Sequence, residues 1–396
     1  MVQGVLTLHK AFDTMEAVSK ICKPVLAPGA HFLMGDEAAA EGAIAAGCRF
    51  FAGYPITPAS ETMQHIVNRF RDVGGVFVQM EDEIGSISAM VGAAWAGAKS
   101  MTATSGPGLS LMMECVGYAA FTETPIVIVD IQRAGPATGQ ATRPGSGDIQ
   151  QVKWGSHGDY QIIALSPWSI QEMYELTIEA FNLSERYRTP AFLLADEGVG
   201  HLREQVLIPE THVIWDRPYA LGKPPFGEDA LDGVPPMPKF GDGENLLVTG
   251  STHDPWGYRK TQDSKVHHTL VHRLNRKVMD HADEIARVES YWMDDADIAV
   301  VAYGFTARAA YYAVKSFRDR ERKVGLLRLI TIWPLAERAV KEILGNTKHI
   351  VIPEMNLGQM AREIERLVDV QITRIAQVNG EVMTPTPILE ALETCT

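Results

Sequence analysis

Cysteine is scarce in this chain: Cys22, Cys48, Cys115 and Cys395 are the whole complement in 396 residues. No two stand as CxxC, and their gaps suit neither a zinc site nor an iron–sulfur cluster, so they read as buried or free thiols of a reducing compartment. Any redox metal centre used by this protein must therefore lie on another chain. Long apolar runs are missing too, and none approaches the ~20 residues of a membrane span. The opening "MVQGVLTLHKAFDTMEAVSK" mixes charges without a signal-peptide pattern and reads as a helical arm before the first domain. Positive charge is in deficit, with 36 Lys and Arg against 49 Asp and Glu and a net charge of −13. That balance excludes a nucleic-acid groove and fits a soluble protein of the cytoplasm. Finally, no GxGxxG follows the first strand, which removes a dinucleotide-binding Rossmann dehydrogenase.

What is present is alternation. Hydrophobic residues make up 46% and charged residues 21%, enough for two or three domains with substantial cores. "GDEAAAEGAIAAGC" is an alanine-rich helix with Asp36 and Glu37 at its positive end, followed by the strand "FFAGYP" and the amphipathic helix "SETMQHIVNRFRDV". "VFVQME", "SMTATS", "PIVIVDIQ", "YQIIALS" and "PAFLLAD" read as further strands, each followed or preceded by a helical segment. The βαβα order predicts an α/β fold with an open, mostly parallel sheet covered on both faces. Proline and glycine crowd residues 216–260, which read as a linker. A long polar helix and a second α/β unit follow, with "ADIAVVAYG", "KVGLLRLI" and "KHIVIPEM" as strands.

Several loops carry candidate chemistry. In "FAGYPITPASE" two prolines stiffen a strand-to-helix turn around Thr57, more rigidity than a connector needs. "VQMEDEIGSISAMVGAAWAGA" runs from a strand into Glu81, Asp82 and Glu83 and then a helix rich in small residues. Close packing accounts for the small residues and capping for the acids. Yet the carboxyl end of a strand is where open α/β sheets bind ligands, and a carboxylate there can keep a heterocycle nitrogen protonated. Ser105 and Gly106 open a Gly-Pro turn at a helix N-terminus, whose amides suit a polar group or anion. Arg133 ends the strand "PIVIVDIQ" and Arg143 lies in the following glycine-rich loop; guanidinium pairs bidentately with carboxylates. His157 stands between two glycines as a weaker candidate. "GDGEN" imitates the start of a diphosphate–magnesium motif but follows no buried strand, so it reads as linker.

In order and spacing, "GDEAAAEGAIAAGCRFFAGYPITPASE", "QMEDEIGSISAMVGAAWAGA", "TATSGPGLSLMMECVGYA", "ETPIVIVDIQRAGPATG", "WGSHGDY" and "VIPEMNLGQM" resemble the alpha subunit of 2-oxoacid:ferredoxin oxidoreductases, most closely the 2-oxoglutarate type. The resemblance runs over about residues 33–396. It implies a pyrimidine-binding thiamine diphosphate domain at 33–215, a linker at 216–264 and a transketolase C-terminal-like domain at 265–396, after an extension at 1–32. It implies a beta subunit that holds the diphosphate, Mg2+ and a [4Fe-4S] cluster, with gamma and delta subunits in larger assemblies. Thiamine diphosphate would meet Tyr54, Pro55, Ile56, Glu83, Ser105 and Gly106, with Glu83 and Thr57 catalytic. Thr57, Arg133 and Arg143 would face substrate. The implied reaction is decarboxylation of 2-oxoglutarate to succinyl-CoA, with coenzyme A as acyl acceptor and ferredoxin as electron acceptor. Pyruvate or a branched-chain 2-oxoacid is the alternative substrate. A non-catalytic scaffold is the alternative role, and Glu83 argues against it. Ala141 and Ser146 depart from the family pattern, which has proline and glutamine there, in the loop expected near the distal end of the substrate.

Overall fold

The apolar run "PIVIVDIQ" becomes the strand Val127–Ala134, buried from Val127 to Arg133 at the centre of the larger of the two main sheets, beside which stand two two-stranded pairs. This is a computed structural model, and it describes residues 19–227 and 233–395. The helical arm expected for residues 1–20 lies outside the described residues apart from its last two, which open the strand Ser19–Cys22. That strand pairs antiparallel with His212–Trp215, and Gly29–Met34 pairs antiparallel with Arg203–Ile208.

Across the larger sheet the order is Thr331–Trp333, Ile163–Leu165, Ala191–Asp196, Val127–Ala134, Lys99–Thr104, Cys48–Gly53 and Val76–Gln79. All neighbours are parallel except the first pair. A short strand, Gln140–Pro144, hangs antiparallel from Val127–Ala134. Helices cover both faces, so central strands are apolar throughout and not alternating. The alanine-rich helix Gly35–Ala45 buries Ala38, Ala39, Ala40 and Ala43. It lies so close to the helix Ile170–Tyr187 that a Cβ at Gly42 would fall 2.4 Å from the Tyr174 carbonyl oxygen. Small residues there are a packing requirement.

The helix Glu83–Trp95 differs from expectation on this point. Ile87, Met90 and Ala94 face the core, but Ile84, Ser88 and Gly92 form an exposed stripe, and a Cβ at Gly92 would meet nothing within 4 Å. Packing explains the inner small residues of this helix and not the outer ones.

Residues 216–263 contain no helix or strand among those described, as the proline and glycine content predicts. They are held down by the fully buried Arg188, whose Nη1 donates to the carbonyls of Pro225, Pro235 and Pro236 at 2.7, 3.0 and 3.2 Å. Gly241 and Gly243 of "GDGEN" adopt positive φ in an exposed bend with no strand before it.

The second sheet runs Val288–Tyr291, Val324–Leu329, Ile298–Ala302, His349–Glu354, Gln371–Ala376, with only the first strand antiparallel. The edge strands Val288–Tyr291 and Gln371–Ala376 and the last helix Pro385–Thr394 are absent from the sequence reading. The linker does not part the two units cleanly. Arg273 and Lys277 of the helix Ser264–Met279 grip the buried Glu123 of the first unit at 2.5–2.9 Å. One buried cluster contains Ile128 and Phe192 of the larger sheet together with Val301, Leu327 and Ile350 of the smaller. No described helix is long and apolar enough to cross a membrane.

Candidate functional site

Four parallel strands end side by side, and the candidate residues follow them directly. Gly53 leads into Tyr54, Pro55, Ile56 and Thr57; Gln79 leads toward Glu83; Thr104 leads into Ser105 and Gly106; Arg133 lies on the fourth strand. A parallel sheet puts every carboxyl end on one edge, so the topology alone gathers residues far apart in sequence.

Glu83 is the first residue of its helix, which Asp82 caps by accepting from the Gly85 N–H at 2.7 Å. Only 6% of Glu83 is exposed; its carboxylate makes no hydrogen bond among the described residues, and its oxygens sit at the edge of solvent. It presses on the next helix at Gly108: a Cβ there would stand 2.4 Å from Glu83 Oε1 and 2.3 Å from Thr104 Oγ1. The glycine creates the space the carboxylate occupies. Thr104 Oγ1 and Ser105 Oγ are buried and also lack hydrogen-bond partners. Polar atoms of this kind are costly unless something satisfies them.

The "YPITP" loop presents Tyr54, Pro55 and Thr57 to solvent and half-buries Ile56. Two side chains hold its backbone. Arg133, 8% exposed, donates from Nη1 to the Thr57 carbonyl at 2.7 Å, and its buried Nε–H has no partner. His201 Nε2 lies 3.1 Å from the Pro58 carbonyl. The Glu197 carboxylate at 3.2 Å from His201 Nδ1 raises the imidazole pKa to about 9.

Two buried carboxyls escaped the sequence reading. Asp130 pairs in register with Thr104 on the neighbouring strand, and Asp148 lies beside it under the Ser105–Gly106 turn. Burial and the Asp148 charge push Asp130 well up; burial lifts Asp148 to about 6. Two carboxyls buried beside each other resist carrying charge together, so the pair favours the state that keeps a proton. A charged residue in the middle of "PIVIVDIQ" was the available signal.

The second unit closes the loop at 144–151. Asn356 Nδ2 donates to the Ser146 carbonyl at 2.7 Å and the Ser146 N–H to the Met355 carbonyl at 3.1 Å, while Gln359 bonds Gly147 and Gln150. Ser146 is therefore sealed against the second unit. Arg143 is half-exposed and pairs with Glu381 at 3.1 Å, so the structure engages it in an ion pair and does not leave it free beside Arg133. His157 is exposed in its loop.

Residues 41–273 match the family described as pyruvate flavodoxin/ferredoxin oxidoreductase, thiamine diphosphate-binding, and residues 296–388 match pyruvate:ferredoxin oxidoreductase core domain II. The chain is 47% identical over 368 residues to 2-oxoglutarate synthase subunit KorA of Methanothermobacter marburgensis, covering 91% of this chain and 98% of that one. It is 37% identical over 337 residues to ketoisovalerate oxidoreductase subunit VorB of Methanothermobacter thermautotrophicus, covering 84% and 88%. A solved 2-oxoglutarate:ferredoxin oxidoreductase from Magnetococcus marinus, with 2-oxoglutarate, coenzyme A and succinyl-CoA bound, matches with a TM-score of 0.88 at 29% identity. That match covers 93% of this chain, which spans 65% of the length of the solved one. Matched in both halves and along nearly its whole length, the chain belongs to the 2-oxoacid:ferredoxin oxidoreductase family, among its alpha subunits.

Proposed function

We propose that this chain is the alpha subunit of a 2-oxoglutarate:ferredoxin oxidoreductase, working with a beta subunit that carries the diphosphate site, Mg2+ and the iron–sulfur cluster. The observation that carries the reading is Glu83: a buried carboxylate with no protein partner, at the carboxyl edge of a parallel sheet, seated where Gly108 makes room for it. Together with the unpartnered Thr104 and Ser105 hydroxyls, it fits the aminopyrimidine end of thiamine diphosphate. Such a ring offers a nitrogen to Glu83 and further polar atoms to the hydroxyls.

Bound thiamine diphosphate supplies a carbon nucleophile and an electron sink for losing carbon dioxide from a 2-oxoacid. The chain's own residues do the rest. Glu83 holds a proton at a ring nitrogen, and its helix start keeps the carboxylate aimed. Tyr54, Pro55 and Ile56 would line the space beside the ring, and the exposed Thr57 would offer its hydroxyl to substrate. Arg133 offers its unpartnered Nε–H to the substrate's 1-carboxylate while Nη1 braces the loop. Arg143 serves the distal carboxylate only by leaving Glu381.

The test is the purified alpha–beta complex assayed with coenzyme A and a viologen dye. Reduction with 2-oxoglutarate should exceed that with pyruvate or 2-oxoisovalerate at least tenfold; the reverse order overturns the substrate assignment. Glu83→Gln should slow thiamine C2 proton exchange in that complex by ~100-fold or more, and near-normal exchange removes Glu83 from the site.

A further inference from the structure

Beside the Thr57–Pro58 turn, three helix ends converge. Asp36 begins the helix Gly35–Ala45, Glu61 begins Ser60–Val73, and His201 ends Glu197–His201. One ligand atom from each lies within 4.8 Å of the others, with His201 Nε2 at 3.6 Å from Glu61 Oε2. Asp36 is fully buried, and neither of its oxygens makes a hydrogen bond. No lysine or arginine pairs with Asp36, Glu61 or Glu197 among the described residues. Three carboxyl groups therefore surround a single imidazole, and the deepest of them has the Thr62 hydroxyl and N–H nearby without a full hydrogen bond from either. Buried carboxylates are normally paired or bound to a metal.

The imidazole is arranged as metal-binding histidines are. Glu197 Oε1 sits 3.2 Å from Nδ1, which leaves Nε2 facing Glu61, Asp36 and the Pro58 carbonyl, whose hydrogen bond an ion would displace. A carboxylate on the far nitrogen fixes ring orientation and raises ligand basicity. Zinc takes carboxylate oxygen and imidazole nitrogen at about 2.0–2.2 Å, so its donors lie roughly 3.3 Å apart. Glu61 and His201 keep 43% and 30% of their side chains exposed, which gives an ion a way in.

We propose that Asp36, Glu61 and His201 form a binding site for a divalent cation of the zinc class, with Glu197 orienting the histidine. The site stands apart from the residues assigned to thiamine and substrate. His201 Nε2 bonds the Pro58 carbonyl when no ion is present, so an ion on that nitrogen replaces this bond and frees the loop that carries Thr57 from it.

The experiment titrates Zn2+ calorimetrically into the chelator-treated full-length chain carrying His268→Ala and His272→Ala. Those changes remove an exposed histidine pair whose rings lie 4.0 Å apart and would bind zinc on their own. One equivalent should bind. Asp36→Asn and Glu61→Gln should each weaken that binding at least ~100-fold and Glu197→Gln about tenfold, in line with ligand and outer-shell losses. Asn is isosteric with Asp, and Glu61 lies at the rim, so a zinc-free melting curve verifies that each variant is folded. The proposal is overturned if the parent binds no zinc, or if folded Asp36→Asn and Glu61→Gln bind it as the parent does.

Discussion

Replacing Gly108 by alanine separates the position of the Glu83 carboxylate from its presence. The added Cβ would stand 2.3 Å from Thr104 Oγ1, 2.4 Å from Glu83 Oε1 and 2.8 Å from Glu83 Cγ, where ordinary contact begins at 3.4 Å. Because Cγ is overlapped as well as the oxygen, rotating the carboxylate does not relieve the clash. Nor can the backbone retreat cheaply, since the Gly108 N–H donates to the Ser105 carbonyl at 2.8 Å in the first turn of its helix. Glu83 must withdraw by about 1 Å, and a displacement of that size costs on the order of 100-fold in rate, or roughly 2.7 kcal/mol of barrier. Overpacking should also lower stability by about 1–3 kcal/mol. The assay is thiamine C2 proton exchange, followed by NMR in the alpha–beta complex, beside 2-oxoglutarate-dependent dye reduction. Gly92→Ala is the control: its Cβ meets nothing within 4 Å, so activity should persist and helix propensity should add up to ~1 kcal/mol. A folded, cofactor-loaded Gly108→Ala complex with wild-type exchange would refute the placement argument.

Arg133→Ala removes both the Thr57 brace and the unpartnered Nε–H, so KM for the 2-oxoacid should rise at least tenfold and kcat should also fall. Arg133→Lys should recover part of kcat, because one donor suffices for the carbonyl; unchanged kinetics in Arg133→Ala would take it out of the site. Asp148 has a folded pKa lifted to about 6 by burial, above its value in the unfolded chain. The fold thus favours the protonated form, and this contribution is complete below about pH 4 and lost as pH rises through 6. Asp148→Asn does not titrate, so its stability relative to wild type should improve between pH 4 and pH 7.5 by on the order of 1–3 kcal/mol. Parallel melting profiles for the two proteins would show that burial does not perturb this carboxyl.

The larger sheet was legible because its strands are short apolar runs separated by helices with a clear period, and burial on both faces demands that composition. The site loops were legible for a related reason: a parallel sheet collects the carboxyl ends of its strands, so Thr57, Glu83, Ser105 and Arg133 had to share an edge. Arg143 was different. An arginine in an irregular loop carries no period to orient it, and its engagement with Glu381 comes from a segment more than two hundred residues away. Ser146 is similar: the sequence puts its loop near the expected distal end of the substrate but carries no sign of its partner Asn356, which lies in the second unit. The exposed edge of the helix Glu83–Trp95 was hidden because small residues look the same whether they pack against a neighbour or face open space.

By itself the sequence determined the fold class through its periodicity, the scarcity of cysteine through its composition, and the family through the resemblance of its ordered motifs. Only the tertiary structure decided that Glu83 is buried without a protein partner, that Asp130 and Asp148 are buried beside each other, and that Asp36 meets Glu61 and His201 beside the loop. Each of these is a meeting of side chains distant in sequence, and it depends on which helices pack together and how closely. Local pattern carries no record of that distance; packing sets it to within an ångström, the scale on which a carboxylate becomes a partner, an acid or a ligand.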